Sequence, residues 1–369
     1  MHSLSEQIPA IAEKVREVEN DRERLGVFLR ELKPTFSLKR KDVLEPFLSR
    51  KVARDPLEKR IVAGVDGGLS QKACHGLDMI ITRAVAAVFD YEKGGLKGVE
   101  YFPSPIVGPA IFIASDPYSD EEFAVSSGLL RATGEVEAAC QCFEKYKPNL
   151  VLMDGSIVPH SSDVPGKGSK AAPMYDRMVE SYKRLYMASA GGMLAGCIED
   201  TRGRRFCEIV SEEMLSKVRS VKVDELRRIM DGARDTNILH HMLEEGERTF
   251  VFTYAKNSQE HPVLNSLGQF GRNIYSFYLK TAQFDRPVRI DFYSAAYEAE
   301  VICATADKIA GLVLATVCNP SYGFPAPLIE ADVRAKISEA DAGAIYDQIT
   351  DSVGAMSGLI RLRREQRPF

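Results

Sequence analysis

The run Leu150-Val151-Leu152-Met153, which stops at Asp154-Gly155-Ser156, constrains this chain more than any other segment. Four apolar residues without polar alternation predict a strand buried on both faces, inside a sheet rather than at its rim. Such a sheet needs helices to cover it. One helix is predicted over about Glu121 to Tyr146, with Leu129, Val136, Cys140 and Phe143 on one face, and Lys147-Pro148-Asn149 ends it just before the strand. The loop Val158 to Pro173 then leads to a helix over about Met174 to Ala190 and a strand near Met193 to Ile198.

Three strands are predicted upstream. Arg60 to Val65 stops at Asp66-Gly67-Gly68, Met79 to Phe89 follows, and Gly98 to Phe102 closes a meander through the Lys93-Gly94-Gly95 turn. The order is β-β-β-α-β-α-β. Residues 203 to 290 read as an embellishment with a helical part (about Lys222 to Glu245) and a strand (Arg248 to Tyr254). After it come a strand over Val288 to Phe292, a helix near Ser294 to Ile309, a strand near Leu312 to Val317, and a helix opened by Pro325-Ala326-Pro327.

The opening segment repeats apolar residues in steps of three and four: Leu4, Ile8, Ile11, Val15, Val18, then Leu25, Leu29 and Leu32, with Arg22 as the break. That spacing predicts a long helix ending near Pro34, which lies on its own domain or pairs with another subunit. Between Lys39 and Arg60, eight basic residues face four acidic ones, a local charge of +4. Over all 369 residues, 48 Lys and Arg against 52 Asp and Glu give −4, which excludes binding of polyanions through overall charge and leaves only a local patch. The longest apolar stretches, such as Ile309 to Val317, fall short of the roughly 20 residues a membrane span needs. The first residues show no basic n-region or unbroken apolar core, so a cytoplasmic protein is expected. Seven scattered cysteines without a C-x-x-C pair predict reduced thiols rather than a disulfide framework or zinc ribbon.

The carboxylates carry the chemistry. Asp66 and Asp154 end two predicted strands, each before a glycine that lets a ligand approach the backbone. If those strands are parallel neighbours, the acids sit side by side, and a divalent cation such as Mn²⁺ or Mg²⁺ would remove their repulsion. Glu135, on the intervening helix, and Asp332, near the start of the late helix, can reach the same point. Acids on strand one, the crossover helix, strand four and a late helix match the layout of ribonuclease H-like nucleases, in which two metals about 4 Å apart act on a phosphodiester. Taken singly each has a plainer reading: Asp-Gly is a common turn, Glu135 is an exposed helix carboxylate, and Asp332 suits the helix dipole.

These residues sit in segments that resemble the NurA family of DNA nucleases: Val65-Asp66-Gly67-Gly68, Arg131-x-x-x-Glu135, Leu150 to Ser156, Gly196-Cys197-Ile198-Glu199-Asp200-Thr201, Asp235-Thr236-x-x-Leu239 continuing to Gly246-Glu247-Arg248-Thr249, Pro287-x-Arg289-x-Asp291, and Tyr322-Gly323-Phe324-Pro325-x-Pro327-Leu328 with Ala331-Asp332. The resemblance implies an α/β fold with a ribonuclease H-like mixed sheet flanked by helices. It implies a manganese-dependent (or magnesium-dependent) deoxyribonuclease, an exonuclease with single-strand endonuclease activity. It also implies work in DNA end resection and double-strand break repair with a HerA-type hexameric ATPase, as a ring-shaped homodimer. The domains expected are an N-terminal helical and basic extension (1–58) suited to dimerisation, a nuclease domain (59–340, with the insertion at about 203–290), and a C-terminal helical and basic tail (341–369). Asp66, Glu135 and Asp154 match the family's metal-binding acids. Glu199 stands where Lys is frequent, and Asp332 where His is frequent, which leaves Asp332 a competent ligand.

Lys167 and Lys170, in a glycine-rich loop that lacks the phosphate-loop register, are candidate backbone contacts, as are Arg202 and Tyr322. Arg204, Arg205 and the tail residues Arg361, Arg363, Arg364 and Arg367 form further basic clusters, while His75, His240, His241 and His261 have no metal-site spacing. A non-catalytic DNA- or translocase-binding scaffold and an RNA-directed ribonuclease H-like enzyme remain open alternatives.

Overall fold

The structure, a computed structural model, describes residues 4–74, 76–217 and 221–354. His75 and the basic tail residues Arg361 to Arg367 lie outside the described residues. The helices are α1 (Leu4–Leu32), α2 (Asp120–Tyr146), α3 (Ala172–Ala188), α4 (Arg205–Lys217), α5 (Val221–Gly232), α6 (Asp235–Met242), α7 (Pro262–Ser266), α8 (Ala299–Thr316), α9 (Ala326–Ala335) and α10 (Glu339–Val353). The strands are β1 (Ser49–Lys51), β2 (Arg60–Ala73), β3 (Asp78–Glu92), β4 (Gly95–Phe102), β5 (Ala110–Ala114), β6 (Leu150–Asp154), β7 (Met193–Ile198), β8 (Glu247–Thr249), β9 (Phe252–Thr253), β10 (Ile274–Leu279), β11 (Val288–Tyr293), β12 (Val317–Asn319) and β13 (Tyr322–Pro325). Among these residues no helix is long and apolar enough to cross a membrane.

One mixed sheet runs in the order β1-β8-β10-β11-β7-β6-β2-β3-β4, with β5 on β3 and β9 on β10. The buried strand β6 lies at its centre, parallel to β2 on one side and to β7 on the other. Helices cover both faces as the strand demanded. Leu129, Val136, Met178 and Leu185 of α2 and α3 pack with Ala63, Val65, Val151 and Met153 on one face. Ile309, Val313, Leu328 and Ala331 of α8 and α9 pack with Val62, Leu150, Leu152 and Cys197 on the other. Helix α2 begins where the Ser119 hydroxyl caps the Glu122 N–H, beside three acidic residues that suit the helix dipole, and ends at Lys147 in the left-handed region.

Several elements differ from the sequence expectation. Strand β2 does not stop at Asp66 but continues to Ala73, because β3 pairs with it residue for residue from Arg60 to Ala73. Asp66 is therefore inside an antiparallel hairpin rather than at a strand end. The strand expected over Leu312 to Val317 is the last part of α8, where Leu312, Val313 and Leu314 are buried and a short apolar run does not distinguish strand from helix. The helical part of the insertion is three helices, α4 to α6. The insertion also supplies β10, every residue of which is buried, so it completes the sheet as well as decorating it.

The long first helix divides its stripe. Leu25 and Leu29 are buried against the insertion helices with Ile238 and Leu239, whereas Leu4, Ile8, Ile11, Val15 and Val18 are exposed. Beyond it, the guanidinium of the fully buried Arg248 gives two hydrogen bonds to Glu45, at 2.6 and 2.8 Å, and one to Asp307 at 2.7 Å. Glu45 also accepts from the Val251 N–H at 2.9 Å. A single carboxylate thus joins the N-terminal segment to β8 of the sheet. We expect Glu45→Ala to cost about 3 kcal/mol, the scale for stripping a partner from a buried charge. Urea denaturation of the purified protein measures it, and a loss below roughly 1 kcal/mol, the exposed-pair range, would refute this account.

Candidate active site

Glycines in β2 decide how closely the neighbouring helices approach. On one face, a Cβ at Gly64 would overlap the Pro327 carbonyl, and one at Gly68 would overlap the Ala335 carbonyl. Four strand residues span about 13 Å and eight helical residues about 12 Å, so α9 lies along β2 with its backbone seated at both ends. Asp66 lies between the two seats on that face. On the opposite face, a Cβ at Gly67 would lie 2.6 Å from Cγ of Glu135, which fixes how α2 meets the strand.

The sheet register then assembles the acids. Gly64 pairs with Leu152 and Val65 with Met153, so Asp66 and Asp154 continue the same parallel register on one face, with backbones about 4.8 Å apart. Asp66 is 8% exposed, and its carboxyl is raised above the usual range by burial, with Asp332 adding to the rise and the Gly67 N–H opposing it. Asp154 is pushed up to about 7 by burial first, then by Asp66, Asp332 and Glu199. Glu135, on the buried side of α2, is pushed up to about 8 by burial and by Asp66 and Asp154, against the pull of Arg131. Arg131 stands one turn earlier and donates Nη1 to Glu135 at 2.5 Å.

Asp66, Glu135 and Asp154 are thus neighbours whose charges act on one another, and Asp332 acts on Asp66 and Asp154. As their side chains stand they do not form a cage: among the described residues, no three His, Cys, Asp or Glu side chains surround one point closely enough to hold a metal ion. Glu135 is turned to Arg131 and Asp66 to Asp332. The donor set nevertheless fits a hard divalent cation, because all four are carboxylates and Asp66 and Glu135 are buried.

The other predicted residues fall around this point. Tyr322, in β13, is tied to Glu199 at the end of β7, and that carboxylate pushes its hydroxyl, already raised by burial, up to about 12. Lys170 is engaged with Asp116, and Lys167 is exposed in the same loop. Arg202 lines a cavity of about 540 Å³ together with Arg131, Glu135, Asp154, Arg289 and Asp291.

The sequence reading gave no role to the group that holds the Asp154-Gly155-Ser156 turn. Asp291, 1% exposed, accepts from Ser156, Ser276 and the Arg289 Nε, each at 2.7 Å. Gly155 takes φ +93°, and its N–H donates to the Cys197 carbonyl at 3.0 Å. The Pro287-x-Arg289-x-Asp291 motif was the available signal, since an Arg and an Asp two apart on a strand share a face. Arg131 was visible too, as the i−4 partner of Glu135.

A family model described as NurA domain matches residues 60–337. The crystal structure of the NurA nuclease from Sulfolobus solfataricus superposes with a TM-score of 0.60 at 15% identity, covering 96% of this chain and 97% of that one. A crystal structure of NurA with manganese gives 0.49 at 12% identity, with coverage of 94% and 98%. A crystal structure of NurA bound to dAMP and manganese gives 0.47 at 13%, with coverage of 96% and 98%. No curated relative matches the chain. The mixed sheet flanked by helices and the family resemblance read from the sequence are both borne out.

Raised carboxyl groups bind protons more tightly folded than unfolded. In the absence of divalent ions they therefore remove stability as pH rises from the unfolded value near 4 towards the folded values of about 7 and 8. The thermal midpoint in EDTA is expected to fall between pH 5 and pH 8, and Mn²⁺ to raise it more at pH 8 than at pH 5. Calorimetry at the two pH values checks both, and a midpoint in EDTA that climbs with pH would contradict the assignment.

Proposed function

The chain belongs to the NurA family, and from that premise we propose that it is a metal-dependent deoxyribonuclease whose divalent cations, Mn²⁺ or Mg²⁺, are held by Asp66, Glu135, Asp154 and Asp332. The observation that carries this reading is the cluster of Asp66, Glu135 and Asp154 around adjacent parallel strands, each carboxyl raised by burial and by at least one neighbouring acid. Arg131 is the cation beside it, so the cluster keeps a deficit of positive charge that divalent ions offset. Held by these acids in the two-metal arrangement proposed here, such ions would supply Lewis-acid activation of water and stabilisation of the leaving oxygen.

The chain's own residues do the rest. Asp66 and Asp154, on one face of neighbouring strands, are the central ligands. Glu135 and Asp332 close the site from α2 and α9. Freed from Glu135, the Arg131 guanidinium faces the cavity and offsets charge on the phosphate with Arg202. Tyr322 orients the phosphate from β13, with Glu199 fixing its hydroxyl. Lys167 and Lys170 touch the DNA backbone further out.

The same reading extends to exonuclease action with single-strand endonuclease activity, and to DNA end resection and repair beside a HerA-type hexameric ATPase in the cytoplasm. A homodimer is supported by the exposed stripe Leu4, Ile8, Ile11, Val15 and Val18, which has the spacing of a helix pairing seam.

Purified protein incubated with labelled single-stranded DNA, duplex DNA and RNA in Mn²⁺ and in EDTA tests the assignment. Cleavage of DNA in Mn²⁺ alone is expected, with Asp154→Asn folding normally and losing roughly 10²–10³-fold in rate, the scale for removing one preorganised electrostatic group. A fully active Asp154→Asn enzyme sinks the metal-ligand role, and preference for RNA or binding without cleavage favours the two alternatives.

A further inference from the structure

Three cavities follow one another around residues 254–273, and their lining changes with distance from the acids. The first, of about 540 Å³, holds Glu135 and Asp154. Its wall includes Tyr254, which stacks under the Arg289 guanidinium at 5.0 Å. Tyr254 also lines the second cavity, of about 320 Å³, whose charged residues are Arg40, Lys41, Lys256 and Arg272 against Asp42 alone. Arg40 is paired with Asp42 and Glu212, and Lys256 lies 3.5 Å from Glu212. Lys41 and Arg272 have no carboxylate partner among the described residues. Arg272 also lines the third cavity, of about 680 Å³, where Phe270, Tyr293 and Tyr297 add aromatic surface and no carboxylate intrudes. Tyr297 is 87% exposed.

Two unpaired cations, Lys41 and Arg272, beside the exposed ring of Tyr297 and the half-buried rings of Phe270 and Tyr293 suit one ligand class. Phosphates follow the cations, and unpaired bases stack on the rings. A duplex buries its base faces and gains nothing from the tyrosines. We propose that these cavities form a track for single-stranded DNA, entering past Tyr297, crossing Arg272 and Lys41, and turning at Tyr254 into the acidic centre. The track rests on the reading of the acids as the hydrolytic centre, and it accounts for how a chain of net charge −4 holds a polyanion: the attraction is confined to one groove.

The test uses the full chain with the paired substitutions Lys41→Glu and Arg272→Glu, and separately Tyr297→Ala. None of these residues lies in the catalytic machinery, and Tyr297 and Lys41 are exposed. Three readings are taken: fluorescence anisotropy in EDTA with a labelled 20-mer of thymidylate, the same with a 20-base-pair duplex, and hydrolysis of bis(p-nitrophenyl) phosphate in Mn²⁺. Charge reversal should weaken 20-mer binding at least tenfold and flatten its log–log salt slope by roughly 1.4, about 0.7 per lost phosphate contact. Tyr297→Ala should weaken it about tenfold without changing the slope. Hydrolysis of the small ester should be unchanged in every variant. Unaltered 20-mer affinity overturns the track, and so does an equal loss for duplex, which would make the groove a general polyanion surface. If the unsubstituted protein hydrolyses neither ester nor DNA while the binding losses stand, the catalytic reading fails and the track survives.

Discussion

The close contact between α9 and β2 is the constraint on which the site depends. A helix backbone meets a strand backbone only where side chains are missing, and Gly64 and Gly68 remove them at both ends of α9. Asp66 lies between those seats, so the contact that packs Leu328 and Ala331 into the core also brings Asp332 to Asp66. Gly67 does the same for Glu135 on the opposite face. Five consecutive residues of one strand thus set the distance of two helices and two carboxylates from a third.

That geometry sets up an electrostatic conflict. Buried acids that raise one another's proton affinity lower the stability of a fold unless something positive joins them. Arg131 relieves part of the conflict, and its bond to Glu135 holds that carboxylate apart from the others. The acids are therefore brought together at the level of backbone register, while Glu135 and Asp66 are committed to Arg131 and Asp332, partners they would have to exchange to hold a cation in the proposed role.

Two buried networks keep the frame rigid around this point. The Asp291 carboxylate, with Ser156, Ser276 and Arg289, fixes the turn that carries Asp154. The Arg248 guanidinium, with Glu45 and Asp307, fastens the N-terminal segment to the sheet and to α8. Both use a fully satisfied charge where an unsatisfied one would be costly, and both lie in the half of the sheet completed by the insertion.

The sequence by itself determined the buried central strand and the helices around it, and it singled out acids that the structure brings together, because apolar periodicity and residue chemistry are local properties. It located Asp66, Glu135, Asp154 and Asp332, yet misread β2 as ending at Asp66, since Asp-Gly-Gly reads as a turn and only the pairing with β3 carries the strand through it. The apolar end of α8 read as a strand for a different reason: burial on all sides erases the period that separates the two. The Asp291 network, the approach of α9 to β2 and the basic aromatic groove were decided by tertiary structure alone. Each joins residues far apart in the chain, and the energy of such contacts depends on distances that no local pattern encodes.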